Sequence, residues 1–134
     1  MLSTFSAITL AVSFTPSAPV VYEAPQIEVI EMKYDVDPKI YFLLKESFGN
    51  DLNWALDTFY CESGLKHFNK DGTVLIGRIT PDVGITQISP KYWDKELKEK
   101  GFDYWTLEGN IKAAKYILDK SGKNAWVCHQ NRIR

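Results

Sequence analysis

Apolar residues recur at helical spacing over two long stretches of the chain. Leu52, Ala55, Leu56, Phe59 and Tyr60 fall at i, i+3, i+4, i+7 and i+8, which predicts a helix with one apolar stripe, capped by Asn50 or Asp51. Just upstream, Asp37-Pro38 supplies an N-cap and a proline for the first turn, and Gly49 supplies a stop, so residues 38 to 48 are predicted to form a helix. Ser89-Pro90 opens a third helix that runs to about Lys100, with Gly101 as its stop. Thr106 or Leu107 opens a fourth that ends near Gly122. Its Leu107, Ile111, Ala114 and Leu118 share a face, Ala113 and Ile117 sit beside it, and Tyr116 lies off the stripe. Between the second and third helices the period changes. Asn69-Lys70-Asp71-Gly72 is a turn signal, Thr73-Val74-Leu75-Ile76 is rich in β-branched residues, and Gly77 and Arg78-Ile79-Thr80-Pro81 complete a small irregular hairpin. The fold class expected is α+β, mostly α, around one β-hairpin.

The N-terminal quarter is different in kind. Phe5 to Phe14 is a weakly polar stretch of about ten residues, half of what a membrane-spanning helix needs, and it reads as the core of a signal peptide. No Lys or Arg precedes Lys33, and Pro16 and Pro19 crowd the small residues near Ala18 where cleavage would fall, so a disordered apolar N-terminus remains the alternative. Residues 15 to 36 hold three prolines and the acids Glu23, Glu28, Glu31 and Asp35, the composition of a linker. The expected division is therefore signal peptide and linker over 1–36 and one compact domain over 37–134. With 134 residues there is room for only one such domain. The 17 acidic and 16 basic side chains leave a net charge of -1, which gives no electrostatic reason to bind nucleic acid or an anionic membrane. Four Trp, seven Tyr and seven Phe exceed what so small a core needs, which hints at rings lining a groove for a ligand with flat apolar faces, such as a sugar.

Glu62 is the residue whose position asks for chemistry. It lies three residues past Phe59 and seven past Ala55, so it continues the apolar stripe and aims a carboxyl group toward the apolar side at the end of the helix. Most glutamates at helix ends are solvated surface residues. A carboxyl on an apolar stripe is instead desolvated, which disfavours its charged form, raises its pKa and lets it keep a proton near neutrality, as a general acid for a glycosidic oxygen must. Asp82 is the second carboxylate of interest, twenty residues later. A hairpin between the two could fold back and place them on opposite walls of one cleft, the arrangement glycoside hydrolysis commonly uses. Taken on the residues alone, Asp82 reads more simply as a cap for the turn after Pro81.

Three segments in order, Cys61-Glu62-Ser63-Gly64, Asp82-Val83-Gly84-Ile85-Thr86-Gln87-Ile88, and Leu107-Glu108-Gly109-Asn110-Ile111 with Ala113-Ala114-Lys115-Tyr116-Ile117-Leu118, resemble the motifs of the lysozyme-like superfamily. The nearest branch is the soluble lytic transglycosylase domain, and the resemblance covers roughly residues 38 to 129. It implies a lysozyme-like fold with a small β-hairpin lobe, a substrate cleft between lobes, and cleavage of the β-1,4 MurNAc-GlcNAc bond of peptidoglycan with no cofactor. It implies Glu62 as general acid and base, Ser63 beside it in the Glu-Ser pair, Gln87 on the cleft wall in contact with sugar, and Tyr116 facing the active site. Asn110 is implied as a structural residue that braces the start of the last helix against the Gln87 segment. One departure bears on mechanism. Many lytic transglycosylases carry no carboxylate just before the Gly-x-x-Gln segment, whereas animal-type lysozymes place a second catalytic Asp where Asp82 stands here. With Glu62 alone, the 6-hydroxyl of the substrate closes a 1,6-anhydro ring; with Asp82 also in play, water completes a hydrolysis. A non-catalytic peptidoglycan-binding wall protein is the competing class.

The two cysteines, Cys61 and Cys128, could close a long loop worth roughly 4 kcal/mol in the chain-entropy account, or stand as two free buried thiols in a reducing compartment. A bridge fits an exported protein of the periplasm, cell envelope or extracellular space. A zinc site from Cys61, His67, Cys128 and His129 is formally available, but neighbouring Cys128 and His129 would have to ligate together, so no metal is expected. His67 reads as a surface or groove residue, Trp54, Trp93 and Trp105 as packing residues, and Trp126 as a residue that closes the groove or caps the core. The partners expected are peptidoglycan glycan strands, with no nucleic acid, no stable membrane span and a monomeric state.

Overall fold

In a computed structural model of the chain, residues 33–132 are described here; the stretch read as a signal peptide, and nearly all of the linker, lies outside them. Five helices follow in order: α1 (Pro38–Phe48), α2 (Leu52–Ser63), α3 (Pro90–Glu99), α4 (Leu107–Ser121) and α5 (Val127–Arg132). Short 3-10 turns, Gly49–Asp51 and Lys123–Ala125, join α1 to α2 and α4 to α5. The described part of the protein is thus mostly helical, as the spacing of its apolar residues predicts.

The ends of these helices have local causes. The Asp37 carboxylate accepts the backbone N–H of Lys39 at 2.7 Å, and Pro38 sits in the first turn, where its missing N–H costs nothing. Thr106 caps α4 by accepting the Gly109 N–H at 3.0 Å. Gly109 is tied to that corner, because a Cβ there would lie 1.8 Å from the carbonyl oxygen of Asp103. α2 stops where Gly64 turns left-handed at φ 66°. The following Leu65 also has positive φ and is buried.

The hairpin expected over residues 73–81 does not appear as two regular strands. Three isolated antiparallel bridges replace it: Phe68 with Val74, Ile76 with Val83, and Val83 with Ile88. Arg78–Thr80 does not fold back along 73–76. Residues 75–77 instead pair antiparallel with 82–84, with Gly77 N–H donating to Asp82 O at 2.9 Å and Gly84 N–H to Leu75 O at 2.8 Å. Pro81 offers no donor to a ladder, and Gly84, at φ 73°, bends the chain into a second turn, so a regular strand cannot extend through this stretch.

The core lies between α1, α2 and α4, where Leu44, Phe48, Ala55, Phe59, Ile111, Ala114 and Ile117 are all buried. Trp126, from the loop before α5, joins them. Its ring meets Trp54 at 5.3 Å and Phe59 at 5.8 Å between centroids, both edge to face. Packing also reaches upstream of Asp37: Val36 is buried, Tyr34 stacks on the half-exposed Tyr60 with centroids 4.3 Å apart, and Lys33 and Tyr34 both donate to Asp57. All described residues belong to one compact unit. Among them no helix is long and apolar enough to cross a membrane.

Candidate active site

α2 ends at one side of a groove of about 220 Å³. Glu62 is on one wall, Thr80, Asp82 and Gln87 come from the irregular segment, Tyr92 and Trp93 from α3, Ile117 from α4, Trp126 from the loop before α5 and Val127 from its first position. A second depression of about 300 Å³ continues past the same two residues, Glu62 and Gln87, toward Ser63, Ile76 and Arg78. The Glu62 carboxyl therefore stands partway along an extended trough with room on both sides. The two carboxylates and the glutamine singled out in the sequence share it.

Glu62 is half-buried, and its Oε1 accepts the backbone N–H of Cys128 at 3.1 Å. Burial pushes its pKa above the ordinary value of 4.5. The Cys128 N–H pulls the other way by favouring the anion, and the negative charge of Asp82 adds to the upward push. A proton is thus held longer on this oxygen pair than on a solvated glutamate. The helix that carries it is fixed from behind by a disulfide between Cys61 and Cys128, so the bridged alternative is the one that holds. No group of three or more His, Cys, Asp or Glu able to hold a metal ion occurs among the described residues.

Asp82 is arranged differently. Its Oδ2 accepts the Thr80 hydroxyl at 2.5 Å, while its Oδ1 is buried without a hydrogen-bond partner among the described residues. A buried carboxylate oxygen left without a donor is costly, so this side chain is held at an energetic penalty beside the groove that its residue lines. Gln87, in the left-handed region at φ 51°, donates its amide to Gly84 O at 2.8 Å, which leaves Oε1 toward Gly77. A side chain at Gly77 would collide with that oxygen at 2.9 Å and with Thr80 O at 2.3 Å.

The segment that carries Asp82 and Gln87 is braced by polar side chains from outside it. Asn110, wholly buried in α4, uses all its amide capacity: Oδ1 accepts the Thr86 N–H at 3.0 Å and hydroxyl at 2.8 Å, and Nδ2 donates to Val83 O at 3.0 Å and Tyr104 O at 2.8 Å. Ser63 donates its hydroxyl to Ile85 O at 2.6 Å, so it ties the end of α2 to the segment instead of presenting a free hydroxyl to the trough. Trp126 donates its indole N–H to Thr86 O at 2.9 Å.

His67 corrects its sequence reading as a surface or groove residue. It is 2% exposed, accepts the Ile85 N–H on Nδ1 at 3.2 Å and, with that nitrogen committed as acceptor, donates from Nε2 to Trp105 O at 2.9 Å. Burial holds its pKa below the usual 6.5, with the Trp105 carbonyl opposing. Gly84 must be a glycine beside it, because a Cβ there would lie 2.5 Å from the His67 ring. Tyr116, implied to face the active site, does not. Its hydroxyl donates to Glu96 on α3 at 2.5 Å and its ring packs at 5.5 Å from Phe102, while the next residue, Ile117, is the one that lines the trough. Trp93, read as a packing residue, lies on the trough wall as well.

Sequence reasoning missed the Cys128 N–H, the His67 brace and the exposed Tyr92 on the rim. No protein-family model, curated protein or solved structure matches the chain.

Proposed function

We propose that this protein cleaves the β-1,4 MurNAc-GlcNAc bond of peptidoglycan, with a lysozyme-like arrangement of a helical body, a small irregular lobe and a cleft between them. The observation that carries this reading is the pair of unlike carboxyl groups on one trough: Glu62, desolvated and raised in pKa, and Asp82, with a buried oxygen that has no donor. In the first step protonated Glu62 gives its proton to the glycosidic oxygen, the bond to the anomeric carbon breaks, and the leaving sugar departs as an alcohol. The Asp82 carboxylate stabilises or traps the oxocarbenium ion. Glu62, now an anion held by the Cys128 N–H, takes a proton from the attacking oxygen and is restored to its starting form. Tyr92, 72% exposed at the rim, offers the flat face on which a sugar ring can stack.

That attacking oxygen is either water or the substrate's own 6-hydroxyl. The position of Asp82 on the trough favours water and a hydrolytic outcome over the 1,6-anhydro product of a transglycosylase. Mass spectrometry of digested muropeptides separates the two, since hydrolysis leaves reducing ends and transglycosylation leaves anhydro-muramic ends. The disulfide and the lack of a membrane-length helix among the described residues accord with an exported protein acting on the wall. Glu62→Gln is expected to reduce wall clearing by roughly 10²–10⁴-fold while the fold is retained. A variant that clears walls at the parent rate overturns the assignment, and a parent that binds glycan strands without cutting them supports a wall-binding protein instead.

A further inference from the structure

We propose that the Cys61–Cys128 disulfide is a positioning device for Glu62, and that its two-electron reduction switches the site to a weaker form. Four observations meet on this bridge. Cys61 is the residue before Glu62 in α2. Cys128, its partner, is the residue whose backbone N–H reaches Glu62 Oε1 at 3.1 Å. The same bond therefore fixes, from both sides, the carboxyl group and the donor that holds it. The helix that presents the donor is only six residues long, too short to be stable on its own, and besides the bridge and the Glu62 bond it meets α2 through a hydrogen bond from Trp54 Nε1 to His129 Nδ1 at 3.1 Å and the edge-to-face contact of the same two rings. Finally, Cys61 is exposed and Cys128 only half-buried, the accessibility of a labile bridge and not that of a sealed structural one.

The chemistry is ordinary thiol–disulfide exchange with a dithiol reductant. One thiolate of the dithiol attacks the exposed Cys61 sulfur, the Cys61–Cys128 bond breaks, and Cys128 leaves as a thiolate that takes up a proton. The second thiol of the reductant then closes on the first, releasing Cys61 as the other thiol. Two electrons and two protons have passed to the protein, and the dithiol has become a disulfide. Without the bridge α5 is free to fray, whereas Trp126 stays seated through its bond to Thr86 O and its ring contacts with Trp54 and Phe59. Glu62 thus keeps its apolar cover and loses its N–H. Asp82 is the other carboxylate lining the trough, and it comes from a segment that the bridge does not touch.

This inference rests on Glu62 being the working acid, and it is tested with a readout that does not need activity. The carboxyl carbon of Glu62 in the full-length chain is titrated by NMR, oxidised and after reduction by dithiothreitol, with Glu62→Gln to assign the signal. The expected result is an upward move of the midpoint by roughly one pH unit on reduction, the effect of one lost backbone donor. Wall clearing is expected to fall about tenfold with its alkaline limb moved the same way, and reoxidation restores both. Cys61→Ser/Cys128→Ser should reproduce the reduced state with no reductant present. An unchanged Glu62 midpoint in a folded reduced protein overturns the proposal, and so does a reduced chain that unfolds as a whole, since the bridge then serves stability alone. A moved midpoint in a protein that cuts no glycan supports the positioning role and overturns the proposed function.

Discussion

α1, α2 and α4 meet mainly through the apolar Leu44, Phe48, Phe59, Ile111 and Ala114, with an exposed Lys39–Glu108 ion pair added between α1 and α4. The stretch from Gly64 to Ser89 also sends apolar residues inward, among them Leu65, Val83, Ile85 and Ile88, but the backbone around them is pinned by hydrogen bonds from His67, Asn110, Ser63 and Trp126. The difference follows from geometry. A helix satisfies its own amides and needs only to hide one face, whereas an irregular chain brings unpaired N–H and C=O groups into the interior and must find a donor or acceptor for each. Apolar packing tolerates adjustment, while a hydrogen bond fixes direction. The second region is therefore the one suited to hold Asp82 and Gln87 at a set orientation against Glu62, which the first region delivers on a rigid helix end.

The sharpest way to break this contrast is to remove one brace and one core residue and compare. Asn110→Ala leaves the Thr86 N–H, the Val83 carbonyl and the Tyr104 carbonyl without their partner, and is expected to cost about 3–5 kcal/mol by denaturant unfolding. Glycan cleavage should be lost even at temperatures where the variant is folded. Leu44→Ala, wholly buried in α1, should cost about 3 kcal/mol, yet leave the rate of the folded protein near that of the parent. Equal losses of activity in the two folded variants would remove the distinction.

A smaller effect comes from pH. Because the folded His67 has a pKa below its usual 6.5, protonation favours the unfolded state, so the stability it lends is present above about pH 6.5 and is lost as pH falls through its folded value. Hydrogen-exchange protection of the Ile85 amide, which donates to the His67 ring, should decline in that window. Flat protection there would show that the brace does not titrate. Glu62 has the opposite sign. Its raised pKa contributes stability below about 4.5 that is lost as pH rises through the folded value, so at pH 7 Glu62→Gln should melt at or slightly above the parent temperature. The gap should close in acid, and calorimetry at two pH values is enough to see it.

Much of the helical body is legible in the residues themselves. Asp37-Pro38, Gly49 and Thr106 act locally, and the inward aim of Glu62 follows from its place on the stripe that Ala55 and Phe59 define. The irregular region is less so, because its causes are distant in sequence: Asn110 holds Thr86 from 24 residues away, and His67 holds Ile85 across 18. Periodicity places Tyr116 off the core face but does not say which neighbour that side meets, and the answer is Glu96 and Phe102 on the α3 side. α5 is invisible to the same reading, being too short for a repeat to register.

The bridge between Cys61 and Cys128, 67 residues apart, has a topological consequence as well. Ile79, 99% exposed in the turn before Asp82, is the natural place for an endoprotease to cut, and a cut there puts Glu62 and Asp82 on separate peptides. Those peptides would still be one covalent molecule, so a nicked chain in a protease-rich medium keeps both halves of its trough within reach of each other.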